Sequence, residues 1–424
     1  MPLSPADAWR NRIAALLLLF AVGYNFVLAI VNAQLFPIGP SAAYAAELIA
    51  YAGCFVLGVG TLDRNGMALL LAGIGSLVLV NLARTLAVWE VDLKFLRDAL
   101  VPFAFLVLGT AYRGSLPKLA LWLALAVVLV AACELAFPDL YGDLVDPRSY
   151  FINTRGASEE DFWNPDSNLN VNATRPGERI WLAGMALPRA SSIFVEPVTM
   201  GNFIIFFAAV ALTFRRAMGV GGQMLALLAA LFLLVASDGR LATATCLMML
   251  ALVPLFRRLD QSLSWLVFVG VMAGGWLLVT LAGVEAYEDT LLGRIFVTVD
   301  ALSNMSPRAW LGLDLGAPYA YSDSGIAYFI ASQSLATVLA FLVGYAFLLR
   351  MPTAHGQLFK NLFIFAFALS LLVSNSYFSI KTGALWWFAC GYLWQVQAVR
   401  VAAARRWIEE RSVGDDATRA MAPA

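Results

Sequence analysis

Arg189-Ala190-Ser191-Ser192-Ile193-Phe194-Val195-Glu196-Pro197 stands directly before the apolar run Gly201–Phe214. A guanidinium beside a helix N-terminus is a good anion site, because its planar fork matches oxyanions and the free N–H groups add partial positive charge. Each residue also has a plain structural reading. Arg189 can be an interfacial anchor that snorkels to the headgroups. Glu196-Pro197 can simply open a helix, with proline at the first position and an acid favoured by the dipole. Two further thresholds carry similar chemistry. Ser237-Asp238-Gly239-Arg240 reads as a tight turn, yet Arg240 opens the next helix. The dipole disfavours a cation there by roughly 0.3–1 kcal/mol, so Arg240 calls for Asp238 or an exogenous anion as partner. Tyr321-Ser322-Asp323-Ser324-Gly325 is either a helix cap or a carboxylate placed to take a proton or hold a hydroxyl. Arg294 lies on the same side of the chain's topology. His355, the single histidine, lies on the other, so imidazole catalysis and histidine-based metal sites are excluded from the face that carries these groups.

The elements that must position these residues are apolar helices. Apolar residues make up 61% of the 424 residues and charged ones 13%, against about one-half and one-quarter in a soluble domain. Runs near 13–35, 41–61, 67–88, 97–112, 117–137, 197–214, 222–237, 241–256, 263–284, 325–350, 360–376 and 382–400 predict about twelve transmembrane helices. Only helices satisfy their own backbone across such runs, so the expected fold is all-α, a polytopic integral membrane protein. The first run is too long for a cleaved signal and reads as a retained helix. Cys54, Cys133, Cys246 and Cys390 fall within spans at no metal-like spacing, and neither a disulfide nor a metal is expected.

Residues 1–406 read as one polytopic domain, and 407–424 as a polar, disordered cytoplasmic tail. Two long loops, 138–196 and 285–324, interrupt the rhythm of short connections. Within the second, Leu291, Leu292, Ile295, Phe296, Val299 and Leu302 fall at helical spacing, which suggests a helix lying on the membrane surface. Arg64, Arg113, Lys118, Arg215, Arg216, Arg257 and Arg258 lie in the short loops of the opposite side. The positive-inside rule therefore puts both termini in the cytoplasm and the long loops outside. Mid-span charges are few, Glu47 being the clearest, which disfavours a transporter with a midplane site.

These motifs resemble those of the O-antigen polymerase and ligase superfamily, including Wzy-type exopolysaccharide polymerases. Arg189 to Pro197 with Gly201 is similar to that family's R-a-s-g-x-f-x-[EN]-P block, and Ser237 to Arg240 to its S-x-S-R hairpin. Asp323-Ser324 through Ser334, Leu335, Ala336 and Thr337 is similar to the late ligase motif H-[NSQ]-x9-G-x-x-[GTY]. The ligase histidine is replaced by Asp323 and the first glycine by Ser334, which favours the polymerase branch. The resemblance implies a GT-C-like membrane glycosyltransferase of the bacterial inner membrane, acting at its periplasmic face. Its substrate would be undecaprenyl-pyrophosphate-linked oligosaccharide, with Arg189, Arg240 and, third, Arg294 on the pyrophosphate. Asp323 or Glu196 would orient or deprotonate the acceptor hydroxyl. No metal, cofactor or nucleic acid is expected, while the lipid bilayer, a chain-length regulator and export machinery are the candidate partners. The alternatives are an O-antigen ligase acting on another acceptor, or a flippase that moves the lipid-linked glycan.

Overall fold

Proline and short polar side chains set most helix starts in this chain. Pro40, Pro117, Pro138, Pro147 and Pro197 occupy the first or second helical position, where the missing N–H costs nothing. Asp63, Asp92, Thr290, Ser306, Ser324 and Thr353 accept a hydrogen bond from the first turn they precede. The structure is a computed structural model that describes residues 5–176, 181, 184–185, 187–288, 290–351 and 353–395. The 407–424 tail expected from sequence lies outside the described residues, as does the end of the last apolar run.

The helices are α1 (Pro5–Gln34), α2 (Pro40–Gly58), α3 (Arg64–Val88), α4 (Leu93–Ala111), α5 (Leu116–Ala136), α6 (Pro138–Val145), α7 (Pro147–Arg155) and α8 (Val171–Thr174). There follow α9 (Pro197–Thr213), α10 (Gly219–Ser237), α11 (Arg240–Phe256), α12 (Ser264–Ala282), α13 (Leu291–Ser303), α14 (Pro307–Trp310) and α15 (Ala317–Ala320). The series ends with α16 (Gly325–Gln333), α17 (Leu335–Val343), α18 (Ala354–Leu371) and α19 (380–395). No strand occurs among the described residues, so the protein is all-helical.

Among the described residues six helices are long and apolar enough to cross a membrane, and a seventh span is obtained if one bent pair counts as one. Among the described residues each of the twelve apolar runs falls largely on helix, but the runs outside those six differ for physical reasons. The first turns of α4 carry Lys94, Arg97 and Asp98. Helices α9 and α11 have 17 residues each. The first half of α18 is interrupted by Gln357, Lys360 and Asn361. The run 325–350, expected as one helix, is broken: α16 and the helix after it meet at 106°.

Burial sorts the helices into a centre and a periphery. Helices α9, α18 and α19 are enclosed on nearly all sides, as an all-round apolar sequence requires. Trp386 of α19 stacks on Phe363 of α18 at 4.8 Å and meets Phe206 of α9 edge-on at 5.3 Å. Helices α4 and α19 cross at two glycines: a Cβ on Gly109 would strike the Phe388 carbonyl, and one on Gly391 the Leu106 carbonyl. Small residues allow that approach. By contrast α3, α10 and α12 leave Leu79, Leu86, Leu228, Leu231, Leu277 and Leu281 exposed, which suits a lipid environment.

Polar groups on spanning helices finish the ends of their neighbours. Lys360 is buried and donates to the carbonyls of Ala346 and Leu349, and Asn361 to those of Phe256 and Leu259. Those carbonyls belong to helix C-termini, which have no partner within their own helix. The first long loop is also folded. Tyr141, Val145, Tyr150, Leu169 and Val195 form a small second core against Ala29 of α1. Tyr150 donates to Asn25, and Asn32 to Ser149. The second long loop contains the expected amphipathic helix as α13. It does not lie free on a surface: it packs on α12 and α16, with Ile295 and Thr298 buried.

Candidate functional site

The segment before α9 is buried and irregular, with one 3-10 turn at Ser192–Phe194. Ala190 donates its N–H to the Ala236 carbonyl at the end of α10. The N–H groups of Ser191 and Ser192 both go to the carboxylate of Glu134, at 2.6 to 2.9 Å. Ser192 Oγ donates to the Val127 carbonyl, and the Tyr141 hydroxyl donates to the Ser192 carbonyl. Such irregular backbone persists within a membrane protein only where protein groups replace water. The fold here holds two non-glycine residues at positive φ, Ser192 at 50° and Val195 at 62°. A β-branched residue in that region is an outlier costing about 1–3 kcal/mol, and Val195 is completely buried. Glu134 is therefore the anchor of this loop. Sequence reasoning missed it, although a lone carboxylate inside the 117–137 run was a visible signal.

This loop delivers Glu196 to α19. Glu196 Oε2 lies 3.2 Å from Lys381 Nζ and accepts the Thr199 hydroxyl at 2.8 Å. Lys381 also approaches the Phe194 carbonyl, at 3.5 Å. Burial opposes the charge on Glu196, but Lys381, the Thr199 hydroxyl and the Arg155 guanidinium outweigh it and hold its pKa below the ordinary carboxylate value. A carboxylate held this way is a poor proton acceptor, so its geometry fits a positioning role better than that of a base.

Beside this pair is a polar crevice of about 150 Å3. Its charged lining is Glu47 of α2, Lys94, Arg97 and Asp98 of α4, and Arg155 at the end of α7. Tyr328, Asn375, Ser376 and Ser379 complete the polar part. Arg97 lies 3.1 Å from Glu47 and 2.8 Å from Asp98. The Tyr24 hydroxyl donates to Glu47 and the Tyr328 hydroxyl to Asp98. Asn202 of α9 donates to Ser376, which ties the start of α9 to the same wall. Helices α4, α16 and α19 all begin here, so their N-terminal dipoles add positive potential. Of these groups the sequence offered only Glu47, as a mid-span charge, and Glu196. Lys94, Arg97, Arg155 and Lys381 sit at helix ends, where a single charge is unremarkable until the ends are seen to converge.

The remaining sequence candidates lie around this centre. Arg189 Nε is 3.9 Å from Asp238 Oδ2, so Arg189 meets the turn that carries Arg240. Asp238 is itself buried, adopts φ 44° and accepts the Trp181 N–H at 2.8 Å. Arg240 is the first residue of α11, half-buried, as expected. Arg294 is half-buried on α13, one turn before Thr298. The Thr298 hydroxyl donates to the Leu372 carbonyl and lies 2.8 Å from the Ser324 hydroxyl. The α16 cap is Ser324, not Asp323: Ser324 Oγ accepts the Ala327 N–H, whereas the Asp323 side chain is exposed and makes no hydrogen bond or ion pair among the described residues. Ser322 accepts the Asn375 N–H, which puts Asp323 beside the crevice wall.

The break between α16 and α17 falls on Ser334, at φ 84° and ψ 153°. That region is essentially a glycine preserve, and the position matches the glycine of the late motif. Ser334 Oγ accepts the Thr337 N–H and so caps α17. At the end of α16 the Ser332 carbonyl is taken by Arg84 of α3, a buried guanidinium that also donates to the Gly312 carbonyl in the turn after α14. Gln333 donates to the Phe95 carbonyl. Arg84, Glu134, Asp238, Lys360 and Lys381 join Glu47 as buried charges, and all but Glu47 lie towards helix ends or in turns. No protein-family model matches the chain, and neither curated proteins nor solved structures yield a match to it.

Proposed function

We propose that this protein polymerises polyprenyl-pyrophosphate-linked oligosaccharides into an exopolysaccharide, capsule or O-antigen chain, at the periplasmic face of a bacterial inner membrane. On this reading about twelve helices enter the bilayer. The observation that carries it is the buried, irregular segment Ala190–Glu196, which ends at a charged crevice on one end of a largely apolar helical bundle. A lipid-linked donor needs that combination: helices that accept a tail, and fixed charge where its headgroup emerges. The tail would lie in the apolar recess of about 230 Å3 between α12, α13 and α18, lined by Met272, Trp276, Val299, Leu302 and Leu372. Arg294 is on the same helix as Val299 and Leu302.

Arg189 and Arg240 would hold the pyrophosphate, with Arg294 as third cation, since guanidinium forks match phosphate oxygens and stay charged. The bond between the donor sugar's anomeric carbon and the pyrophosphate oxygen breaks, and a new bond forms to the acceptor hydroxyl oxygen. The hydroxyl proton passes to Asp323, and the electron pair leaves on the polyprenyl pyrophosphate. Fixed cations at the developing charge would supply most of the acceleration. Glu196 would orient Lys381 and the crevice.

Purified protein in liposomes with lipid-linked oligosaccharide tests this. Longer glycans on the lipid are expected, and Arg189→Ala or Arg240→Ala should abolish them at unchanged protein abundance. Wild-type chain length in either variant removes that arginine from the mechanism. The flippase reading draws on the 106° break at Ser334, since broken helices recur in transporters. Unchanged glycans that cross the bilayer would select it. A ligase would leave the lipid carrier only when a second glycan acceptor is added.

A further inference from the structure

We propose that the crevice between α2, α4, α7 and the start of α19 is a subsite for an acidic sugar, a ring bearing one carboxylate. This names a substrate class for the polymerase reading and rests on it only for how that sugar is delivered.

Charge is the first argument. The lining holds three cations, Lys94, Arg97 and Arg155, against two carboxylates, Glu47 and Asp98. All four oxygens of those carboxylates are engaged. Glu47 accepts from the Tyr24 hydroxyl and faces Arg97, while Asp98 accepts from Arg97 and from the Tyr328 hydroxyl. Lys381 is matched by Glu196 just beyond. Asp92, outside the lining, is taken by the Tyr319 hydroxyl and the Lys94 N–H. Arg155 and Lys94 are left with no carboxylate within ion-pair distance among the described residues, in a lining with one net positive charge. Arg155 is exposed, stands over the Phe151 ring as a cation–π contact, and acts on Glu196 only through space. The Lys94 ammonium lies over the Tyr319 ring at 4.3 Å. A cluster that spends its acids on one arginine and leaves two cations open is arranged for a single incoming negative charge.

The neutral groups supply the second argument. Asn375, Ser376 and Ser379 supply an amide and hydroxyls, and the rings of Tyr328 and Phe378, packed together at 5.4 Å, form the apolar part of the same wall. Hydroxyl partners beside aromatic rings suit a polyol ring, whose edges hydrogen-bond and whose C–H faces stack. A bare phosphate would use neither ring. An arginine fork matches a carboxylate bidentately, and one carboxylate balances the charge of the lining.

The full chain in nanodiscs is titrated with glucuronate, glucose and glucose 6-phosphate by saturation-transfer NMR. Glucuronate is expected to bind, with glucose at least tenfold weaker. Arg155→Gln and Lys94→Gln should each remove that preference, Arg155→Lys should keep part of it, and Arg189→Gln should leave it intact. Monodisperse variants with wild-type thermal unfolding establish folding. Equal binding of glucose and glucuronate, a preference for glucose 6-phosphate, no binding at all, or a preference that survives Arg155→Gln would each overturn the proposal. Elongation of lipid-linked glycan is assayed separately: its absence alongside Arg155-dependent glucuronate binding refutes the polymerase reading and leaves the subsite standing.

Discussion

Glu196 and Lys381 meet at the junction of two central helices, so neither charge can be removed without stranding the other. Breaking such a pair costs about 3 kcal/mol, and Glu196→Gln should lower stability by that order at neutral pH. Its folded pKa lies below the ordinary 4.5, so its contribution is complete above the unfolded value and is lost as pH falls through the lower folded one. Thermal unfolding in detergent should show this acid limb in the wild type and not in Glu196→Gln. An identical limb in both assigns it elsewhere. Glu134→Ala leaves the N–H groups of Ser191 and Ser192 without their acceptor, at about 1–3 kcal/mol each. It should release the loop and reduce polymer length even though Glu134 touches no substrate; a variant with normal stability and chain length would refute the anchor role. The sequence put Arg189 and Glu196 on one threshold, Arg189 as a pyrophosphate ligand and Glu196 as one of two candidate carboxylates. The structure gives them different neighbours, Asp238 for one and Lys381 for the other, because the αL turns at Ser192 and Val195 redirect the chain between them.

At the scale of elements, the break at Ser334 was not legible from hydropathy, since the three polar residues Ser332, Gln333 and Ser334 are too few to interrupt the apolar run 325–350. What breaks it is backbone geometry supported by long-range bonds, from Arg84 to the Ser332 carbonyl and from Gln333 to the Phe95 carbonyl. Ser334→Gly should relieve about 1–3 kcal/mol of backbone strain, while glycine gives up only a few tenths as an N-cap. The variant is therefore expected to unfold at a higher temperature, and Ser334→Val at a lower one. A destabilised glycine variant would mean that the break is not where the strain resides. Helix α13 teaches the complementary lesson. Its apolar spacing announced the helix correctly, but a stripe of apolar residues does not say whether lipid or protein will cover it, and here α12 and α16 do.

For the whole molecule, the helix starts of α4, α9, α16 and α19 gather at one end of the bundle. The basic short loops predict that this end is the outer one. In a background with Cys54, Cys133, Cys246 and Cys390 replaced by alanine, Asp323→Cys should react with a membrane-impermeant maleimide in intact spheroplasts. Protection until the cells are broken would invert the topology and remove the periplasmic assignment. Asp323 suits this test because it is exposed and outside the cap of α16.

The sequence by itself determined that the chain is helical and apolar, where most helices begin, and that Arg189–Pro197 stands at a threshold. Those properties are local: hydropathy, proline and capping side chains act within a turn or two of their own position. Only the tertiary structure decided which charges meet. Glu47 and Arg97, Glu134 and Ser191, Arg84 and Ser332, Glu196 and Lys381 are distant in the chain. Each pairing exists because burying one polar group obliges the fold to bring it a partner, and that obligation leaves no mark on the residues around it.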